Sequence, residues 1–129
     1  MSDKFTVEII SPDKLILKSE TNEVTIPSYE GQMGILKDHI PLITFLRPGV
    51  ISVQNQEKKN YFVEEGTIEF SNNNLLILTS TAIDLTQLNQ NSIENMLNLA
   101  EKKLGDDNSS DKERYLLSYK INTLREISR

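Results

Sequence analysis

Apolar residues fall at alternate positions from the start of the chain: Phe5, Val7 and Ile9, then Leu15 and Leu17, then Val24 and Ile26. Side chains of an extended strand alternate between its two faces, so this period of two predicts short, half-buried strands. Ser11-Pro12-Asp13 and Glu20-Thr21-Asn22 supply turn residues between them. From Pro27 to Pro41 the chain holds two of its five glycines, its only histidine and no clean period, which predicts a long connection. Strand patterns resume at Leu42 to Leu46, Val50 to Val53, Tyr61 to Glu65, Thr67 to Phe70 and Leu75 to Thr81. The breaks between them are Pro48-Gly49, the polar turn Asn55 to Asn60, and Asn72-Asn73-Asn74. Leu75 to Leu78 is apolar on both faces and is expected to lie centrally. Pro48-Gly49 fits a type II turn, which puts a positive φ on the glycine. Gly66, inside a strand pattern, predicts a bulge or a close backbone contact. Many short strands with little helical pattern between them predict a sandwich or barrel of antiparallel strands.

The period changes after Asp84. Asn91-Ser92-Ile93-Glu94 has the form of a capping box, and Ile93, Met96, Leu97, Ala100 and Leu104 share one face of a helix that Gly105 ends. After the polar turn Asp106 to Ser109, Ser110-Asp111-Lys112-Glu113 forms a second capping box, followed by the stripe Leu117, Ile121, Leu124 and Ile127. The chain is therefore expected to be mostly β with α: an N-terminal antiparallel β-sandwich over residues 1–86, then a C-terminal helical hairpin over 87–129. Helices this short are marginal alone, and the burial they gain is close to the entropy they lose on ordering. Docking of the hairpin on the sandwich should be finely balanced.

Composition narrows the chemistry. The 129 residues include no cysteine, which removes thiol catalysis, disulfides and cysteine-bearing metal sites. One histidine removes His-rich metal sites. No apolar run approaches a membrane span and no signal-peptide pattern opens the chain, so a soluble protein that stays in its compartment is expected. The net charge of −5 argues against nucleic acid as a partner. All of that charge lies in residues 1–84, with 7 basic against 12 acidic side chains; residues 85–129 carry 7 of each. Within the second helix region, 110–129, 5 basic residues face 3 acidic ones.

His39 lies in the long connection without a nucleophile elbow nearby, so a backbone-fixing or partner-touching role is expected over a catalytic one. Glu30-Gly31-Gln32-Met33-Gly34 is neither a dinucleotide fingerprint nor a phosphate loop. Glu64 and Glu65 are neighbours on a strand and point to opposite faces, which argues against a shared acid–base pair. Tyr115 and Tyr119 stand four apart on one side of the second helix. No cofactor, metal or catalytic residue is expected. Two readings stay open on the residues alone: a freestanding sandwich that binds a small ligand under the hairpin, and a small enzyme centred on His39.

The stretch from Glu30 to Gly49, Glu-Gly-Gln-Met-Gly-Ile-Leu-Lys-Asp-His-Ile-Pro-Leu-Ile-Thr-Phe-Leu-Arg-Pro-Gly, resembles the signature of the epsilon subunit of bacterial F-type ATP synthase. Glu65 to Phe70 and Leu75 to Ala82 resemble two further stretches of that family, and the likeness spans nearly the whole chain. Lys37 departs from the proline common before x-His, which should loosen that loop. The resemblance implies a non-catalytic central-stalk component of the rotor. Its sandwich would grip the gamma subunit and rest on the c-ring, coupling ring rotation to ATP synthesis. The family's contact loop maps to Ser28, Glu30, Gly31 and Gln32, and His39 and Pro41 belong to the loop and partner interface. The hairpin would act as a brake on ATP hydrolysis, extending toward the beta and alpha subunits with Lys112, Arg114, Lys120 and Arg125 on its second helix. A peripheral place on the cytoplasmic face of the bacterial inner membrane, reached only through the complex, is implied as well. Some relatives bind ATP through Ile/Leu-Asp-x-x-Arg-Ala. Here Ile93-Glu94-Asn95-Met96-Leu97-Asn98 has leucine at the arginine position, which implies weak or absent ATP binding.

Overall fold

A computed structural model describes residues 3–54 and 57–128. Among these, ten strands precede two helices: β1 (Phe5–Ile10), β2 (Leu15–Thr21), β3 (Glu23–Ser28), β4 (Gly31–Leu36), β5 (Leu42–Leu46), β6 (Gly49–Gln54), β7 (Lys59–Val63), β8 (Gly66–Ser71), β9 (Asn74–Thr79), β10 (Ala82–Asp84), α1 (Gln90–Leu104) and α2 (Asp111–Ile127). They form the expected β-sandwich followed by a helical hairpin. Part of the predicted turn over 55–60, residues 55 and 56, lies outside the described residues.

The strands hydrogen-bond in the order β10-β7-β6-β3-β5-β8-β9-β1-β2, with β4 on β3. This ladder is thinnest between β3 and β5, where the single pair Ser28↔Leu46 joins them. Phe5, Val7 and Ile9 of β1, Val24 and Ile26 of β3, and Ile51 and Val53 of β6 meet in one buried core with Ile68 and Ile77. The alternation read from the sequence is thus the inward face of two layers. One pairing breaks the antiparallel expectation. β1 runs parallel to β9, from Thr6↔Asn74 to Ile10↔Leu78, because the chain returns to its own first strand only after the rest of the sheet has been laid down. That pairing gives β9 neighbours on both edges, and Leu75 and Ile77 are buried in the core.

The connection expected from Pro27 to Pro41 is largely a hairpin. β4 pairs with β3 from Glu23↔Leu36 to Ser28↔Gly31. Only Ile35 of β4 is fully buried, and glycines at 31 and 34 occupy places where a period would otherwise show. Gly49 does not adopt a positive φ, contrary to the type II turn expectation. Its constraint is space: a Cβ there would stand 2.5 Å from Pro27 Cβ. Gly66 behaves as expected, since a Cβ would lie 2.2 Å from the Leu78 carbonyl oxygen. The Asn72-Asn73 turn has φ of 50° and 59°, the left-handed pair that suits a tight hairpin.

The cap of α1 is Asn89, whose side chain accepts from the Ser92 N–H at 2.8 Å, rather than Asn91. Ser110 caps α2 as expected, accepting from the Glu113 N–H at 3.1 Å. The hairpin is docked on the sandwich. Phe62 of β7, wholly buried, meets Ile93 of α1 and Leu124 of α2, with Met96, Leu97 and Ile127 around them. Phe62 lies between Tyr61 and Val63, which face the sandwich core, so it points outward under the hairpin.

Candidate functional site

The β3–β4 turn carries the first predicted group of site residues. Ser28 is fully buried; its hydroxyl donates to the Gly31 carbonyl at 2.7 Å and accepts from the Glu30 N–H at 3.2 Å. It therefore shapes the turn and offers no surface of its own. Gly31 takes φ +123°, a conformation L side chains rarely adopt. Glu30 and Gln32 are exposed, and Glu30 Oε1 accepts from Thr44 Oγ1 at 3.1 Å across the β3–β5 junction. The turn is thus a braced loop that presents one carboxylate and one amide to solvent.

The loop before β5 holds the second group. His39 is half-buried, edge-on to Phe70 with 5.8 Å between ring centroids, and its Nδ1 is 2.7 Å from the Ile40 carbonyl oxygen. Pro41 is exposed beside it. The Asp38 N–H donates to Asn73 Oδ1 at 2.7 Å, and Asn73 Nδ2 donates back to Asp38 Oδ1 at 3.0 Å. This two-way bond holds the loop that Lys37 was expected to loosen, at a residue with φ 66°.

Three basic residues of α2 have separate partners in the docked hairpin. Lys120 Nζ lies 2.7 Å from Glu64 Oε1, Arg125 lies 3.4 Å from Glu101, and Arg114 donates to the Asp106 carbonyl at 3.3 Å. Lys112 is exposed on the first turn of α2. Glu64 and Glu65 were expected on a strand, but β7 ends at Val63; both lie in the turn before β8 and line one cleft, Glu64 joined to Lys120 and Glu65 exposed. Leu97, at the position of the family's arginine, packs against the Phe62 cluster. A cleft of about 410 Å³ separates hairpin and sandwich near Pro48, Glu64, Ala100 and Lys120.

Sequence reasoning did not single out the outer face of the β5-β8-β9-β1-β2 layer. Register places Phe45 beside Thr67, Thr67 beside Leu78, Leu78 beside Ile10, and Ile10 beside Leu15. Phe45, Leu78 and Leu15 are 56%, 44% and 53% exposed, and Ile43 on the same face is 77% exposed. A largely apolar row, interrupted by Thr67 on β8, therefore crosses five strands, with a groove of about 660 Å³ beside Ile10, Thr67 and Leu78. β5, β9, β1 and β2 contribute apolar side chains to this row and β8 contributes Thr67, so the signal is visible only once register is known.

Below the hairpin, Asp84 begins the linker. Its carboxyl is held below the usual aspartate range first by the Thr86 N–H at 2.9 Å and then by the Thr86 hydroxyl at 2.8 Å. Burial pushes the Tyr61 phenol up, and the nearby Asp84 charge adds to that.

The molecule is, by class, a β-sandwich with an open apolar sheet face in one layer, a braced acidic turn at its edge and a helical hairpin docked over the other layer. Residues 4–85 match the family model described as ATP synthase, Delta/Epsilon chain, beta-sandwich domain. The chain is 40% identical to the ATP synthase epsilon chain of Pelagibacter ubique, over 99% of this chain and 100% of that one. It is 31% identical to the epsilon chain of Parvibaculum lavamentivorans, over 98% and 97% of the two. Among solved structures it is similar to a chain of the Euglena gracilis mitochondrial ATP synthase OSCP/F1/c-ring assembly, with TM-score 0.81, 20% identity, and coverage of 100% of this chain and 84% of that chain. A chain of the Tetrahymena thermophila mitochondrial ATP synthase central stalk/c-ring superposes with TM-score 0.65 at 11% identity, over 96% of each. The chain belongs to the family of ATP synthase epsilon chains.

Proposed function

We propose that the protein is a non-catalytic part of the rotor, seated between the gamma subunit and the c-ring of an F-type ATP synthase. The observation that carries this reading is the largely apolar row Phe45-Thr67-Leu78-Ile10-Leu15, in which Phe45, Leu78 and Leu15 are exposed in the layer the hairpin leaves uncovered. An apolar strip of this extent on an otherwise acidic sandwich is the mark of a standing protein contact. Gamma covers that face, with His39 and Pro41 at its margin. Glu30 and Gln32 meet the polar loops of the c-ring, while Ser28 and Gly31 hold their turn in shape. The division into a sandwich, 1–86, and a hairpin, 87–129, separates rotor attachment from control of hydrolysis. When the hairpin leaves the sandwich it extends toward the alpha and beta subunits, and Lys112, Arg114, Lys120 and Arg125 supply the charge for that contact. The protein works at the cytoplasmic face of the bacterial inner membrane, held there by its partners; no helix among the described residues is long and apolar enough to cross a membrane. The Leu97 substitution supports a hairpin without nucleotide control.

Co-purification tests this. Tagged protein from solubilised membranes should bring down gamma, c, alpha and beta subunits together. Recovery of the tagged chain alone, under conditions that keep the synthase intact, would overturn the rotor reading and favour a freestanding ligand-binding sandwich.

A further inference from the structure

Tyr29 occupies the tip of the β3–β4 turn and contacts two elements that belong to different parts of the molecule. On one side its ring meets Phe45 of the open face, at 6.3 Å between centroids. On the other it meets Tyr115, on the first turns of α2, edge-on at 5.7 Å. Tyr115 then stacks edge-on with Tyr119 at 4.9 Å, and the Arg47 guanidinium lies 4.0 Å above the Tyr119 ring. The Arg47 N–H donates to the Pro27 carbonyl at 3.0 Å, two residues before Tyr29. These contacts make a closed circuit from the turn through the hairpin and back to the turn.

We infer that Tyr29 is a positioning residue through which docking of the hairpin and the shape of the Ser28–Gln32 turn are coupled. Two features make the coupling specific. The circuit grips α2 near its N-terminal end, whereas the Phe62 cluster grips it near Leu124, so the two ends of the hairpin are held by different groups. Among the described residues the turn is otherwise braced from within the sandwich, by the Tyr29 N–H to the Phe45 carbonyl at 3.1 Å, by Ser28 and by the Thr44–Glu30 bond. The Tyr29–Tyr115 contact is therefore where a movement of one is felt by the other. Any partner that draws Tyr29 away from Tyr115 weakens docking, and release of the hairpin loosens the turn by the same factor, because linkage between two binding events is reciprocal. The consequence for assembly rests on the rotor reading; the coupling itself is internal to the chain.

Amide hydrogen exchange on the isolated full-length chain decides it. In Tyr115→Ala, exchange at the amides of 29–34 should rise by about 2- to 12-fold, the range expected for loss of the Tyr29–Tyr115 pair, the one of Tyr115's two ring contacts that reaches the turn. In Tyr29→Ala, amides of 115–121 should rise by a similar factor. Tyr115→Phe keeps the ring and should restore the wild-type rates, whereas Lys112→Ala, off the circuit on the same helix, should leave the turn unchanged. An unchanged turn in Tyr115→Ala, or a Phe variant that behaves like Ala, would overturn the coupling. In a second arm, wild type and Tyr115→Ala are titrated onto a purified gamma–c-ring complex, where their affinities should differ by the same factor. Equal affinities would overturn transmission of the coupling to the rotor. If wild type does not bind at all, the rotor reading falls, and the exchange result still decides the coupling.

Discussion

Lys120 Nζ of α2 lies 2.7 Å from Glu64 Oε1 just beyond β7, the ion pair that ties hairpin to sandwich among the described residues. Both side chains are partly covered, at 23% and 32% exposure, so the pair is shielded more than a surface bridge but still reached by water. Arg125–Glu101, by contrast, joins the two helices to each other. Lys120 must leave Glu64 before it can serve any other acidic partner, so the docked state competes directly for that charge.

Lys120→Ala should therefore weaken docking by about 0.2–1 kcal/mol, the range for a partly exposed ion pair. Exchange rates of α2 amides in the variant would show it. Rising salt should reproduce part of the effect in the wild type and none in the variant.

Leu124→Ala acts on the same interface from its apolar side. Leu124 is 0% exposed against Phe62, and emptying that volume should cost about 2–5 kcal/mol, falling mainly on hairpin docking. Limited proteolysis should cut the 85–89 linker faster, while the sandwich core keeps its own protection. Equal cleavage of both proteins would mean that the interface is not held at Leu124.

Removal of residues 89–129 should leave a folded sandwich that assembles, since its buried core is closed without the helices. The truncated chain exposes Phe62, so it should be less soluble than the full chain, and Phe62→Ser in the truncated chain should recover solubility. If the hairpin is a brake, the assembled enzyme with this truncation hydrolyses ATP faster; an unchanged rate would mean that it is not.

Gly66→Ala should destabilise the sandwich by about 1–3 kcal/mol, because the new methyl meets a carbonyl of the adjacent strand, which cannot swing aside as a side chain could. Chemical denaturation measures it. A neutral result would show that β9 can shift without losing its pairs.

The Asp84 carboxylate is stabilised in the fold, so its contribution is present at neutral pH and is lost as pH falls through and below the ordinary aspartate value of about 3.9. Backbone resonances of the 85–87 turn should titrate in that acidic window, and in Asp84→Asn they should not.

Most strands were legible because one face of each is buried, which forces the alternation Phe5-Val7-Ile9 or Val24-Ile26 into the sequence. β4 was not, because Gly31 and Gly34 serve the turn and the backbone and leave Ile35 alone to mark a fully buried face. The start of α1 lies at Asn89 rather than Asn91: two asparagines stand two residues apart, and local pattern alone does not choose between two residues that cap equally well. The 28–32 turn was found by its resemblance to a family string, and burial then divided its members into Ser28, which shapes, and Glu30 and Gln32, which present. Tyr29 carried no sequence signal. Its partners Phe45 and Tyr115 lie far along the chain, and contacts between distant residues leave no period.

The parallel pairing of β1 with β9 also dictates an order of events during synthesis. β1 emerges first and pairs at once with β2, yet its other edge has no neighbour until Asn74 to Leu78 have left the ribosome. Closing so long a loop is slow relative to forming a local hairpin. Until then that strand edge is unpaired, and an unpaired edge is a template for wrong pairing with another chain. Both helices lie C-terminal to β10, so every strand of the sandwich precedes in the chain the hairpin that docks on it.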